Sequence, residues 1–518
     1  MPDVVVVGAG HNGLVAACYL ARAGRDVLVV EAADHIGGCT TTAAIPGAPG
    51  YYGNPCAFDV IALRISTIGR DLELVRHGYQ EVEVDPCYVA LGHGGESLAF
   101  WRDPRRTATE IQRFSVRDAR AFLDLMRDLD HVADAMLPMM LTNPTRPDRS
   151  ALTAALKAAG KHPKSFTHLL QLLTGSAAQA LRERFEHPIV RGALAMLANF
   201  GSPVTADGSG VNLMVLPLIC RAGMSRPLGG LGALTEALAE DLREHRGSIR
   251  TGARVQELVV RGGKVTGVQL STGERIDAPI VLTACDPRTA LRDLLPAGTL
   301  PRPLEARAGA IPVMNDGCTH FRVDLALDGK LALPRHAAWR ADGLDLRKPS
   351  HMLGDLDEIC DAIAESRSGR VPDPLPMVNI IASSTDPGCA PSSGDVLSVW
   401  SGWTPHYPNA GWDALREPVA DHIVERACEY YSGIKEHTVV RVVEAWPDIS
   451  ARTNVPEGNV YHVDMSPFRT GGLRPARGFG GYKTPVPGLF LTGAGTHPGP
   501  SVSGIPGQQS ARVILRQK

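Results

Sequence analysis

Val4-Val5-Val6-Val7-Gly8-Ala9-Gly10-His11-Asn12-Gly13 opens the chain with four β-branched residues followed by three glycines spaced Gly-x-Gly-x-x-Gly. An unbroken run of this kind reads as a strand buried on both faces of a parallel sheet. Residues 14–23 carry small and apolar side chains at helical spacing, with Gly24 as a stop, and residues 26–30 form a second strand that ends at Glu31. Each glycine has a physical task in a strand-turn-helix unit. Gly8 permits the tight turn, Gly10 lets a diphosphate approach the backbone, and Gly13 lets the helix pack close to the strand. The helix start offers unpaired N–H groups and the positive end of a dipole. Glu31 lies 18 residues beyond Gly13, near the ~20-residue spacing at which an acidic side chain meets ribose hydroxyls. The unit therefore predicts a dinucleotide site, and an acid at Glu31 would repel a 2′-phosphate.

The chain has 518 residues, enough for two domains sharing a cleft. Hydrophobic residues at 44% and charged residues at 21% exclude a disordered chain, and a net charge of -2 gives no reason to expect nucleic acid as a partner. Ten cysteines are scattered with no C-x-x-C pair and no clustered histidines. That excludes a zinc site or a disulfide framework, so no metal is expected, and it suits a reducing compartment. No signal peptide precedes Val4 and no run reaches membrane-spanning length, since even the apolar stretch 211–219 is interrupted by Asn212 and Pro217. A cytoplasmic protein is expected, with peripheral membrane contact left open.

Three further segments bear on the cofactor. Gly37-Gly38 lets the backbone pass close to an extended ligand. Arg226-Pro227-Leu228-Gly229-Gly230-Leu231-Gly232 precedes a helix with Leu234, Leu238 and Leu242 on one face; short strands follow at Ile249, 255–260, 265–270 and 280–284. Near the C-terminus, Gly488-Leu489-Phe490-Leu491-Thr492-Gly493-Ala494-Gly495-Thr496-His497-Pro498-Gly499 reads as a strand entering a Gly-rich turn. Gly504-Ile505-Pro506 then opens a last helix, where proline's missing N–H costs nothing. Two separated helix starts suit one long dinucleotide.

The run from Glu31 and Ala32 through Gly37, Gly38, Cys39 and Thr40 resembles the continuation found in the large flavoprotein family of amine oxidases and carotenoid desaturases. With the 8–14, 226–238 and 488–499 segments in the same order, and Thr385-Asp386-Pro387 and Gly458-Asn459-Val460-Tyr461-His462 between them, nearly the whole chain resembles the phytoene dehydrogenase-like family. Its closest likeness is to the pyridine nucleotide-disulfide oxidoreductase domain 2-like branch. Cys39-Thr40-Thr41-Thr42 and the insert 51–59 depart from the family pattern.

The resemblance implies an α/β fold. A Rossmann-type, glutathione-reductase-like FAD-binding domain (1–60, 220–300, 455–518) would interweave with an α+β substrate domain (61–219, 301–454), as in amine oxidases and phytoene desaturases. It implies noncovalent FAD held by Gly8, Gly10, His11, Asn12, Gly13, Glu31, Ala32, Gly37, Gly38, Cys39 and Thr40. Leu228 and Gly229 would add to this site, the backbone at Val255 would meet the adenine, and Gly493, Gly495, Thr496, Gly504, Ile505 and Pro506 would hold the flavin end. The implied chemistry is removal of a hydride to flavin N5 and of a proton from a C–C or C–N bond of a largely apolar or natural-product-like small molecule. A flavin-dependent isomerase or saturase, an amine oxidase, and a non-enzymatic protein like the prenyl-GTPase escorts are the alternatives.

No second Gly-rich βαβ unit is evident, so oxygen, a quinone or another carrier is the expected electron acceptor. His497 stands as a candidate proton acceptor or as a prop for its turn. Asp286 reads as a strand-end turn residue. Met136, Met139 and Met140 read as core, with an adaptable wall for a lipophilic substrate as the alternative. Trp400, Trp403, Tyr407 and Trp412, the densest aromatic stretch, read as packing.

Overall fold

The computed structural model describes residues 1–199 and 213–517. The start of the apolar stretch at Val211 and Asn212 lies outside the described residues.

The opening unit folds as the sequence reading expects. Strand β1 (Val4–Val7) leads into helix α1 (His11–Arg22), which starts three residues earlier than the side-chain spacing suggested, and then into β2 (Val27–Val30). Strand β3 (Ser248–Arg250) follows helix α2 (Gly232–Glu244); β4 (Ile280–Thr283) and β5 (Leu489–Leu491) complete a five-stranded parallel sheet of order β5-β4-β1-β2-β3. Register aligns Val7 with both Val30 and Thr283, so three strands end at one level. Alternate β1 residues serve two cores. Val4 and Val6 pack with Leu14 of α1, with Leu234, Leu238 and Leu242 of α2, and with Ile505 and Ile514 of the last helix, α3 (Ile505–Leu515). Val5 and Val7 pack with Leu258, Val265 and Val268 of the antiparallel meander formed by Val255–Arg261, Lys264–Leu270 and Arg275–Asp277.

A second, mostly antiparallel sheet has seven strands, in the order Thr438–Glu444, Cys318–Leu327, Asp395–Pro405, Met377–Ile381, Ser350–Leu353, Tyr88–Leu91, Ser97–Phe100. Its second strand, Cys318–Leu327, is buried at every position, and the helices Leu356–Arg367 and Trp412–Cys428 pack against it in the same core. The chain thus visits the parallel sheet, the large sheet, the parallel sheet again, the large sheet again, and returns to the parallel sheet at β5. Among the described residues, no helix is long and apolar enough to cross a membrane.

Candidate active site

The carboxyl ends of β1, β2 and β4 open on a cavity of about 1040 Å³. Its wall includes Val7, Val30 and Ala284 from those ends and His320, Arg322, Val378, Ile380 and Trp400 from one face of the large sheet. Topology explains the place: β2 and β3 lie on one side of β1, β4 and β5 on the other, and connections that diverge at a switch point leave a crevice there.

The glycines of the first turn divide into two kinds. Gly8 has φ +106°, and a Cβ on Gly13 would lie 2.2 Å from the Gly8 carbonyl oxygen, so both are required by the turn itself. A Cβ on Gly10 would meet nothing nearer than the Gly37 oxygen at 3.8 Å, so the backbone there borders open space. Helix α1 begins beside that space with no side-chain cap and no acid in its first turn. Its N–H groups and positive end are therefore available to an anion such as a diphosphate. The Glu31 carboxylate lines the same cavity and accepts hydrogen bonds from the N–H of Ala9 (2.7 Å) and of Ala33 (2.9 Å). The Gly37-Gly38 turn runs alongside, its first N–H donating to the Ala9 carbonyl at 3.0 Å. His11 clamps the two turns to a third: Nδ1 lies 2.7 Å from Thr40 Oγ1 and Nε2 lies 3.2 Å from the Ser501 carbonyl. Burial pulls the His11 pKa down to about 4.

The far end of the cavity is bounded by Gly493, Ala494 and His497. His497 Nε2 lies 3.1 Å from the Met139 carbonyl, tying the Gly-rich turn to the helix Val116–Met140, and burial lowers its pKa to about 4. Behind the turn, fully buried Arg474 donates hydrogen bonds to the carbonyls of Ala494, Tyr461, Val463, Asp464 and Arg469. Burial pushes its pKa down to about 9, which still leaves a cation at neutral pH beneath Ala494.

Between these ends, His320, Arg322 and Trp400 present one face of two paired strands. The His320 ring stacks on Trp400 (centroids 4.9 Å apart) and meets Tyr461 edge-on (5.2 Å). Burial drives its pKa down to about 3, and neither ring nitrogen has a hydrogen-bond partner among the described residues. Arg322 is paired with Asp324 through Nε (3.0 Å) and Nη2. The facing wall is apolar: Met136, Met139, Met140, Leu152, Leu156, Phe166 and Leu218. Those methionines line the cavity, the alternative weighed for them, and so does Trp400; Met136 and Trp400 also pack against the core. Trp403 and Trp412 are buried in packing, and Tyr407 is exposed.

Of the residues expected at the cofactor, Gly8, Gly10, His11, Asn12, Gly13, Glu31, Ala32, Gly37, Gly38, Cys39, Thr40, Val255 and Gly493 line this one cavity. Leu228, Gly229, Gly495, Thr496, Gly504, Ile505 and Pro506 are not in its wall. The start of α3 is used for packing: a Cβ on Gly504 would lie 2.9 Å from Val15, and one on Gly507 2.2 Å from the Asn12 oxygen. Gly495 is pressed against Pro287, and Thr496 Oγ1 donates to the Gly493 carbonyl at 2.9 Å. Leu228 donates its N–H to the Gln80 carbonyl. Asp286 is the turn residue expected, its Oδ1 accepting from the N–H groups of Arg288 (2.7 Å) and Thr289 (3.1 Å). It also borders the cavity, and burial pushes its pKa up to about 7.

The residues suit FAD. A single cavity joins an uncapped helix start, a glycine with open space at its Cβ and the Glu31 carboxylate to the Ala494 turn, behind which lies the Arg474 cation. Its volume stands at the upper end of the range of roughly 300–1,000 Å³ for small-molecule sites.

Comparison with known proteins agrees. The family described as flavin containing amine oxidoreductase matches residues 13–508. The chain is 30% identical to the pyridine nucleotide-disulfide oxidoreductase domain-containing protein 2 of Rattus norvegicus, over 99% of this chain and 93% of that one. It is 24% identical to the lycopene-forming phytoene desaturase of Pseudescherichia vulneris, over 99% of each. A variant of putrescine oxidase shares the fold with a TM-score of 0.64 at 18% identity, over 100% of this chain and 99% of that one.

Proposed function

The chain belongs to the flavin-containing amine oxidoreductase family and is an FAD-dependent oxidoreductase, and from that premise we propose that it is a dehydrogenase or desaturase of a largely apolar small molecule. The observation that carries the reading is the continuity of the cavity, in which the nucleotide turn and the wall of Met136, Met139, Met140, Leu152, Leu156 and Phe166 bound one space. When bound, FAD would supply the acceptor for a hydride removed from carbon as a C–C or C–N bond is oxidised to its unsaturated form. The chain's task is to hold the substrate in line and to exclude water. The methionine side chains adapt to an irregular apolar body. The large-sheet face, with Trp400 and His320, limits how the substrate lies against the far wall. Arg474, behind Ala494, favours negative charge gathered at that end of the site. Nε2 of His497 is engaged with the Met139 carbonyl, which supports a positioning role for that side chain.

The same reading divides the chain at 1–60, 61–219, 220–300, 301–454 and 455–518, and the alternation of its strands between the two sheets supports the division. Leu228, Gly229, Gly495, Thr496, Gly504, Ile505 and Pro506 would then brace the site from behind. The described residues form one parallel sheet, which favours oxygen, a quinone or another carrier over a nicotinamide as electron acceptor. Ten free cysteines suit a cytoplasmic protein. Peripheral contact with an anionic membrane fits the helices Arg149–Lys161 and Pro163–Thr174: they contain no acidic residue, carry Arg149, Lys157, Lys161 and Lys164, and leave cavity-lining Leu152 and Leu156 exposed.

A second reading, oxidation of an amine, is favoured by one observation, the grouping of His320, Trp400 and Tyr461. Anaerobic single turnover with product analysis tests the main proposal. One equivalent of a product two hydrogens poorer per flavin supports it; an isomer formed while the flavin stays oxidised replaces it with the isomerase reading.

A further inference from the structure

Two thiols to which the proposed reaction gives no redox role lie in the cavity wall. Cys39 follows the Gly37-Gly38 turn, and Cys56 follows the short strand Tyr52–Gly53, which pairs with Ala43–Ala44 and folds this stretch back on itself. The two thiols are neighbours in that wall, each bearing on the other's proton affinity. Both are half-buried and both line the cavity, so a small molecule inside it reaches them. The guanidinium of Arg452 lies beside Cys56, with Nη2 at 3.7 Å and Nη1 at 3.9 Å from Sγ. Arg452 is itself fixed by Glu444, through Nε at 2.8 Å and Nη2 at 3.0 Å. A fixed cation at this distance stabilises the thiolate form of Cys56.

We propose that Cys56 and Cys39 are a reactive thiol pair, in which the Cys56 thiolate attacks a hydroperoxide entering the cavity and Cys39 resolves the product to a disulfide. In the first step a bond forms between Cys56 sulfur and the terminal peroxide oxygen, the O–O bond breaks, and the departing alkoxide or hydroxide takes a proton from water. In the second, Cys39 sulfur attacks Cys56 sulfur, the S–S bond forms, the S–O bond breaks, and the Cys39 proton leaves with the hydroxide as water. The pair loses two electrons and the peroxide gains them. Local electrostatics agrees with this assignment: the neighbouring Cys39 thiol, with Arg452 and Arg322 nearby, holds the Cys56 thiol below its ordinary pKa against the cost of burial, while that of Cys39 rises. At half-buried Cys428 burial outweighs the pull of Lys435, and the thiol is shifted upward.

The test uses the FAD-loaded protein at pH 7 with one equivalent of hydrogen peroxide, followed by alkylation, digestion and peptide mass mapping. The expected result is a Cys39–Cys56 cross-linked peptide with Cys428 still reduced. Cys39→Ser should then accumulate a Cys56 sulfenic acid that dimedone captures, and Cys56→Ser should leave Cys39 unmodified. Iodoacetamide should label Cys56 at least tenfold faster than Cys428 at pH 7, with the rate half-maximal at a lower pH than that of Cys428. Labelling of Cys56 no faster than Cys428, or oxidation of Cys428 without the cross-link, would overturn the proposal.

Discussion

The Glu31 carboxylate accepts a hydrogen bond from the Ala9 backbone N–H at 2.7 Å, joining the end of the second strand to the turn that follows the first. One side chain therefore shapes the turn after the first strand and leaves acceptor capacity facing the cavity. Glu31→Gln replaces a charged acceptor by a neutral one, a loss of about 1.5–3 kcal/mol for hydrogen bonds of this class. Apoprotein titrated with FAD should show affinity weakened by about ten- to a hundredfold, with the fold unchanged by circular dichroism.

Gly13 and Gly10 should separate folding from cofactor retention. Alanine at Gly13 places a Cβ 2.2 Å from the Gly8 oxygen and 3.0 Å from Ala284 Cβ. Gly13→Ala is expected to cost about 1–3 kcal/mol of stability in urea unfolding. Gly10→Ala meets no atom within 3.8 Å, so its urea midpoint should stay near that of the parent while retained FAD falls.

Asp286 should make the apoprotein pH-sensitive. Its folded pKa, raised by burial to about 7, lies above the ordinary value of 3.8. Stability from its protonated form is fully present below about pH 4 and is lost as pH rises through about 7. Asp286→Asn should flatten that part of the profile, a difference on the order of 1–4 kcal/mol across the window. Unfolding midpoints of the two proteins at pH 5 and pH 8 measure it.

The opening strand, turn, helix and acid were legible in sequence because β-branched run, glycine spacing and strand-end charge all point to the same unit. The opposite wall was not. The strand Cys318–Leu327 is buried on both faces, so no alternation marks His320 and Arg322 as facing a cavity. Met136, Met139 and Met140 were read as core because a core and an apolar cavity wall select the same side chains. Arg474 gave no signal, since its partners are carbonyls brought from distant segments. The glycines at 493 and 504 were read together as a flavin anchor, but only the first faces the cavity. The second allows α3 to pack on Val15 of α1.

His497 should behave as a prop. With its pKa near 4 it stays neutral from pH 5 to pH 8, so substituting it should not remove an inflection from the rate profile in that range. His497→Phe loses the contact with the Met139 carbonyl, which should lower stability by about 1 kcal/mol, read from thermal unfolding.

Leu152 and Leu156 test the membrane contact. Their joint replacement by serine should reduce co-sedimentation with anionic phosphatidylglycerol vesicles several-fold, and vesicles of phosphatidylcholine alone should bind neither protein.

The most direct measurement of the central claim is anaerobic mixing of the oxidised FAD-loaded protein with a panel of lipophilic terpenoid hydrocarbons and of amines, following the long-wavelength flavin band. The account predicts that the band is lost on addition of an apolar substrate and persists with the amines. Persistence with every hydrocarbon, in a protein whose flavin dithionite bleaches fully, would contradict it.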